Sequence, residues 1–472
     1  MKQNIYTTGI AVLLALLLYG PLAAQLRLPF VLGSNMVLQR DRPVPVWGYA
    51  AAGEQVTVQF NQQVKKTVTD ASGKWRVDLD PLAVSTRPAE MIISTKDSSI
   101  RLQNILVGEV WLCSGQSNME YSMRKNSKFE KALHGNAPAN ELDSARNPLI
   151  RIFLVRNDYS KLHPVRHTWD SATGVPLRDF SAAGYFFAKE LYRQLGVPVG
   201  IISASVSGSR IEPWLPHTVQ ADQHDSAETG KFYTTMISPL APFLLRGFLW
   251  YQGESNCFLN DTVKYTAQMQ TLIDSWRGLW HNNSLPFYYV QLPPYYYSHS
   301  TDRPHTDQTL AQFRHAQALV LSMPHTGMIV TTDLVDSPDD LHPAYKWEIG
   351  RRLALLALAT AYDRKIEYSG PVFRSMKTEG NTLVLSFDHT GSGLVSNDGK
   401  PLNWFSIAGS DGNFVAARAV IKNNTVIVSA PGITQPAAVQ FGWNETAQPN
   451  LFNKEGFPTA PFNTLEQLVT SK

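Results

Sequence analysis

Three short runs near the start of the chain read as strands: the apolar Val44–Gly48, then Val56–Phe60, in which apolar and polar residues alternate, then Trp75–Leu79 after a Ser72-Gly73 turn. Successive side chains of a strand point to opposite faces, so this pattern predicts an antiparallel β region from Leu28 to about Leu106. From Val107 the texture changes. Runs that read as strands (Val107–Cys113, Val199–Ala204, Gly247–Tyr251, Phe287–Leu292, Gly327–Thr332) now alternate with helical stretches. Ser181–Leu195 is the clearest helix, with Tyr185, Phe186, Leu191, Tyr192 and Leu195 at helical spacing; others fall around Val263–Trp276, Thr309–Leu321 and Pro343–Tyr362. Such alternation predicts a mainly parallel sheet covered by helices on both faces. After Gly370 the strands return, at Leu383–Phe387, Val426–Ser429 and Val439–Trp443.

A chain of 472 residues exceeds one hydrophobic core. The pattern divides it into a leader at 1–24, an N-terminal β domain at 25–106, an α/β domain at 107–366 and a C-terminal β-rich segment at 367–472. The leader is read from Lys2, the apolar run Ile10–Tyr19, the break at Gly20-Pro21 and the small residues Leu22-Ala23-Ala24. These are the parts of a secretory signal peptide cleaved after Ala24, and the run is short of the roughly 20 apolar residues that span a bilayer. The expected location is periplasmic or extracellular, with no membrane insertion after cleavage. The formal net charge of +3 is small, and Lys and Arg are scattered rather than gathered, which argues against a nucleic-acid partner. Two cysteines, Cys113 and Cys257, allow one bridge at most or two buried thiols.

Ser117 stands in Cys113-Ser114-Gly115-Gln116-Ser117-Asn118-Met119, directly after an apolar strand, where a glycine permits a sharp turn that exposes the hydroxyl. A serine hydroxyl becomes a nucleophile only when a neutral imidazole takes its proton. His342, in Asp339-Asp340-Leu341-His342-Pro343 at the entry to a predicted helix, is the candidate base, with Asp339 and Asp340 competing to orient it; a backbone carbonyl is the third option. Two further post-strand loops offer donors for an oxyanion: Ser207-Gly208-Ser209 through the Gly208 N–H, and Tyr251–Asn256 through the Asn256 amide. The sequence holds no metal-ligand cluster with convincing spacing and no cofactor motif.

Gly115-Gln116-Ser117-Asn118, Gly208, Asn256 and the Asp-x-x-His ending at His342 resemble, in order, the blocks of the SGNH (GDSL-like) hydrolases. More specifically, the chain resembles the sialate O-acetylesterase family through Ser34–Arg40, Trp111–Met119, Ile211-Glu212-x-Trp214, Trp250–Asn256, Arg351–Ala354 and Asn453–Gly456, segments that reach across nearly all of it. The resemblance implies a flavodoxin-like three-layer SGNH domain with β accessory segments, a metal-free serine esterase mechanism and an acetylated sugar or glycan as substrate. It implies Ser117 as nucleophile and His342 as base, with Ser117, Gly208 and Asn256 as the oxyanion hole. Ser207-Gly208 departs from the family's usual Gly-Gly pair. The family spacing favours Asp340 as orienter and that of the wider superfamily Asp339. Gln116, Gln252, Glu254, Glu212 and Trp214 are candidate contacts to sugar hydroxyls, and Arg210 and Arg314 to a sialate carboxylate. Sialate 9-O-acetylesterase-like chemistry is the leading expectation. An acetylxylan or other plant-polysaccharide acetylesterase is the nearest alternative, and a non-catalytic carbohydrate-binding protein is the alternative of another class.

Overall fold

The computed structural model describes residues 25–126, 138, 141–156, 167–217, 229–301 and 303–465; the leader expected at 1–24 lies outside these. Six strands, β1 (Val37–Gln39), β2 (Val44–Tyr49), β3 (Gln55–Phe60), β4 (Gln63–Val68), β5 (Lys74–Leu79) and β6 (Ser85–Ser94), lead to the 17-residue strand β7 (Ser99–Gly115). Strands β2 and β5 pair antiparallel, as does β3 with β4 and with β6, in line with the alternation of the sequence. The first half of β7 pairs with β6 and β1, and its second half enters the central sheet. The boundary expected between 106 and 107 therefore falls inside one strand. The N-terminal β residues share both a sheet and a hydrophobic core with the α/β residues after Val107.

The central sheet adds β8 (Asn147–Leu154), β9 (Trp169–Ala172), β10 (Val199–Ser205), β11 (Gly247–Tyr251), β12 (Phe287–Val290) and β13 (Thr326–Ile329), in the spatial order β13-β12-β11-β7-β10-β8-β9. All pairings along it are parallel except that of β9 with β8. Every residue of β10, β11 and β12 is buried, as strands covered on both faces require. The five strands β7, β10, β11, β12 and β13, numbered in chain order, lie side by side as 2-1-3-4-5, which is the flavodoxin order. Strand β8 departs from it: although it comes between β7 and β10 in the chain, it is added outside β10, with β9 antiparallel at the edge. The strand order reverses at β7, and the carboxyl ends of β7, β10 and β11 flank the crevice where α/β sheets bind ligands.

The helix Ala182–Leu195 starts at Ser181, whose hydroxyl accepts from the Gly184 N–H, and stops at Gly196 in the left-handed region. It packs on the helix Lys346–Thr360 where Gly350 has no side chain; a Cβ there would stand 2.6 Å from the Phe187 nitrogen. The loop preceding Lys346 carries His342. The helix begins at Lys346 rather than at the expected Pro343. After Gly370, two four-stranded antiparallel sheets enclose a separate core that includes Leu385, Ile407, Val428 and Phe441. Among the described residues no helix is long and apolar enough to cross a membrane.

Candidate active site

Strand β7 ends against β11 so closely that a Cβ on Gly115 would lie 2.1 Å from the Tyr251 carbonyl oxygen; with φ at +141°, only glycine fits. The Gln116 N–H donates to that same carbonyl at 3.0 Å. The Gln116 side chain turns toward the β11 loop, its Oε1 accepting from the Ser255 N–H and from Gln252 Nε2, each at 3.2 Å. With the turn tied at backbone and side chain, Ser117 opens a short helix, Ser117–Glu120, half-buried at the mouth of the sheet. Its Oγ lies 2.9 Å from His342 Nε2.

Burial and the nearby charges of Lys125 and Lys346 push the His342 pKa down to about 4, against a smaller opposing pull from Asp340. The imidazole is therefore neutral at neutral pH, the form that can accept a serine proton. Neither expected orienter reaches the ring. Asp339 accepts from the Ser337 hydroxyl at 3.0 Å, and Asp340 Oδ1 accepts from the backbone N–H of His342 at 2.8 Å. Among the described residues Nδ1 takes no hydrogen bond. Both carboxylates lie on the exposed side of the loop, which is why spacing alone could not choose between them.

Around the pair opens a cleft of about 610 Å³ lined by Gln116, Ser117, Glu120, Tyr121, Ser122, Lys125, Asp179, Ser207, Gly208, Glu254, Ser255, Phe258, Leu341 and His342. Gly208 is exposed at its edge with φ at +72°, and Ser207 is held by the Glu120 carboxylate. Gln116 and Glu254 thus line the cleft as expected positions, and the others proposed for substrate do not. Gln252, just before the short helix Glu254–Phe258, and Asn256 within it are buried and turn inward, while Glu254, Ser255 and Phe258 line the cleft. Asn256 Oδ1 accepts from the Ile211 N–H at 3.0 Å and from Gln252 Nε2 at 2.7 Å, and its Nδ2 points to Glu212 and Asp261. The amide expected in the oxyanion hole is thus engaged inside the protein. Gln252 Oε1 accepts from the Tyr265 hydroxyl, and Glu212 Oε1 from Gln268 Nε2, both at 2.8 Å.

Trp214 is enclosed by Trp250, Trp276 and Phe232, its indole N–H on Ser209 Oγ. Arg314 is fully buried, its Nε donating to the Leu292 carbonyl, and burial lowers its pKa to about 10. Arg210 is half-buried and does not line the cleft. The cation that does is Lys125, exposed, its Nζ 4.6 Å from the Tyr121 ring centre. Glu120, Tyr121 and Ser122 could have been reached by extending the Gly-Gln-Ser-Asn motif a few residues; Asp179 carried no signal. Cys113 and Cys257 are separate buried thiols, and burial pushes Cys113 up to about 12.

A serine hydroxyl against a neutral imidazole at the carboxyl ends of a parallel sheet is the arrangement of an α/β ester hydrolase. A family model described as carbohydrate esterase, sialic acid-specific acetylesterase matches residues 107–359. The sialate O-acetylesterase of Mus musculus is 30% identical over 428 residues, covering 75% of this chain and 77% of the mouse protein. The human sialate O-acetylesterase is 29% identical over 410 residues, 77% of each chain. A carbohydrate acetylesterase from Xanthomonas citri, whose crystal structure is known, superposes with a TM-score of 0.84 at 34% identity, over 93% of this chain and 99% of that one. The chain belongs to the sialic acid-specific acetylesterase family of carbohydrate esterases, and it is a carboxylic ester hydrolase.

Proposed function

We propose that this carbohydrate O-acetylesterase works through Ser117 as nucleophile and His342 as its base, and that the sugar it deacetylates is anionic, of the sialate kind. The observation that carries the mechanism is the 2.9 Å contact between Ser117 Oγ and Nε2 of the neutral His342 imidazole. Ser117 Oγ attacks the acetyl carbonyl as its proton passes to Nε2, and the oxyanion forms beside the backbone N–H groups of Ser117 and Gly208. Collapse expels the sugar oxygen, which takes the proton from His342 and leaves acetyl-Ser117. Water then gives a proton to Nε2 and attacks the acetyl carbonyl; Ser117 Oγ leaves with that proton, and acetate departs.

For the sugar, the charge of the walls is the guide. Glu120 is engaged by Ser207 and Asp179 by Arg124, whereas Lys125 has no carboxylate partner among the described residues and is available to a substrate carboxylate. A neutral acetylated polysaccharide such as xylan would leave that charge unused. We read residues 107–366 as the SGNH domain in its three-layer form, the residues before and after it as accessory β structure, and 1–24 as an export signal leading to the periplasm or the exterior.

Ser117→Ala tests the mechanism: the variant is expected to fold with wild-type circular dichroism while hydrolysis of an activated acetate ester falls by about 10⁴-fold or more. Near-wild-type turnover would overturn it. Acetate esters are also expected to outrun octanoate esters in kcat/KM, because the acyl group must fit between the Ser117 and Gly208 loops.

A further inference from the structure

His342 has a serine on one ring nitrogen and, among the described residues, no carboxylate on the other, yet a base that receives and returns a proton has to be held in place. The backbone on either side of it is what the protein grips. The carbonyl of Leu341 accepts from Asn118 Nδ2 at 3.0 Å, and the carbonyl of Pro343 accepts from Lys346 Nζ at 2.5 Å. Lys346 Nζ also donates to Asn118 Oδ1 at 2.8 Å, and Asn118 Nδ2 donates to Glu254 Oε1. A buried chain of Glu254, Asn118 and Lys346 therefore runs beneath the loop and holds it on both sides of His342.

We propose that Lys346 is the positioning residue of this site: together with Asn118 it clamps the two carbonyls that flank His342, and so aims the imidazole at Ser117 in the way a carboxylate does in a Ser-His-Asp triad. The proposal rests on the reading of Ser117 and His342 as nucleophile and base.

The chemistry of Lys346 supports it. An ammonium group this deeply buried is costly unless fully hydrogen-bonded, and an apolar residue would serve packing alone as well or better. Lys346 forms no ion pair at contact distance among the described residues. Its charge is spent on the Pro343 carbonyl, on Asn118, and on the faces of Tyr121 and Tyr251, whose ring centres lie 4.7 and 5.5 Å away. Glu254, Asp340 and Lys125 are the charged groups that act on it, and burial brings its pKa down to about 7. Its positive charge is in turn one of the influences that keep His342 unprotonated.

The test is Lys346→Met, followed by circular dichroism, kcat, KM and the pH profile on an acetate ester. Loss of the clamp is expected to lower kcat by about 10²-fold, with KM changed by less than about threefold. The acid limb of kcat/KM should move to higher pH, because removing a nearby positive charge favours the imidazolium; a residue that only supports the fold would not move it. Lys346→Arg keeps the charge but not the length, so kcat should fall while the limb stays. If Lys346→Met does not fold, Lys346→Met/Glu254→Gln removes the carboxylate left behind and should give the same readings. An unfolded double variant would make Lys346 structural and count against the proposal. A folded variant with near-wild-type kcat and an unmoved limb overturns it. Ser117→Ala run alongside separates the two ideas: if it stays active the site itself is misread, and if it is inactive while Lys346→Met is not, only the clamp fails.

Discussion

The acid limb of the reaction should lie unusually low. Attack by Ser117 requires His342 in its neutral form, and the acid limb of kcat/KM reports the pKa of that base in the free enzyme. An ordinary histidine titrates near 6.5, whereas burial, Lys125 and Lys346 bring His342 down to about 4. A lowered pKa keeps the base unprotonated further into acid, so half-maximal kcat/KM is expected near pH 4. At pH 5 a base with a pKa of about 4 is roughly 90% neutral and one of about 6.5 roughly 3%, an activity difference of about thirtyfold between the two cases. Acetate release in quenched samples measures this, with circular dichroism at each pH to count only folded protein. Stability runs the other way: the unfolded chain takes up the His342 proton near pH 6.5 and the folded one only near 4, so this group destabilises the fold as pH falls through that window. Lys125→Met should move the limb upward but short of 6.5, since burial remains. A wild-type limb near 6.5 would refute the reasoning, and would mean that a carboxylate reaches Nδ1 after all.

Single contacts set the other expected outcomes. Asp339→Asn should cost less than about tenfold in kcat, because its carboxylate bonds Ser337 and not the ring; a loss of about 10⁴-fold, as when a triad aspartate is removed, would restore it as orienter. Asp340→Ala, which strips the acceptor from the His342 N–H, should be the more damaging of the two, and equal kcat for both variants would contradict that. Gly115→Ala forces a Cβ to within 2.1 Å of a backbone oxygen at φ +141° and should cost about 3 kcal/mol or more, read as a large drop in Tm; an unchanged Tm would mean that β7 and β11 can separate there. Lys125→Glu should damage turnover of acetylated sialate far more than that of a neutral acetylated sugar, and equal damage to both would favour the neutral polysaccharide reading.

Much of the fold was legible because its rules are local. Strand β11 is a continuous apolar run and β10 is apolar up to Ile202, and the helix Ala182–Leu195 carries both its apolar stripe and its Ser181 cap within one stretch. What was not legible depends on pairing between distant residues. Nothing within Ser99–Gly115 says that one strand serves two sheet regions, since a domain boundary is inferred from a change of texture, and the texture does change at 107 while the hydrogen bonding runs straight through. The position of β8 outside β10 is likewise a choice between neighbours that apolar strands of similar length do not encode. The helix at Lys346 begins late because the preceding residues are drawn into the loop: the Pro343 carbonyl goes to Lys346 Nζ, and the Lys346 N–H to the Ala344 carbonyl.

At the site, the residues on turns were legible and the residues behind them were not. Ser117, Gly208 and His342 each follow a pattern that forces exposure, and all three line one cleft. Gln252, Asn256, Glu212 and Trp214 stand in motif segments but are buried, and their side chains bond inside the protein; Arg314, on a helix away from those segments, is buried as well, its Nε on the Leu292 carbonyl and its two terminal nitrogens without a partner among the described residues. The same geometry accounts for the base. A carboxylate on Nδ1 would hold His342 in place and also raise its pKa; a clamp on its neighbouring carbonyls, built from a lysine, holds it in place and adds to the lowering that burial produces first. A base near 4 gives up driving force for proton removal at neutral pH. In return it stays unprotonated in acid, and an acetyl ester, whose leaving group is an alcohol rather than an amine, is a bond that a weaker base can still help to break. The proposed pairing of Ser117 with a His342 that no described carboxylate contacts is therefore better suited to ester cleavage than to amide cleavage.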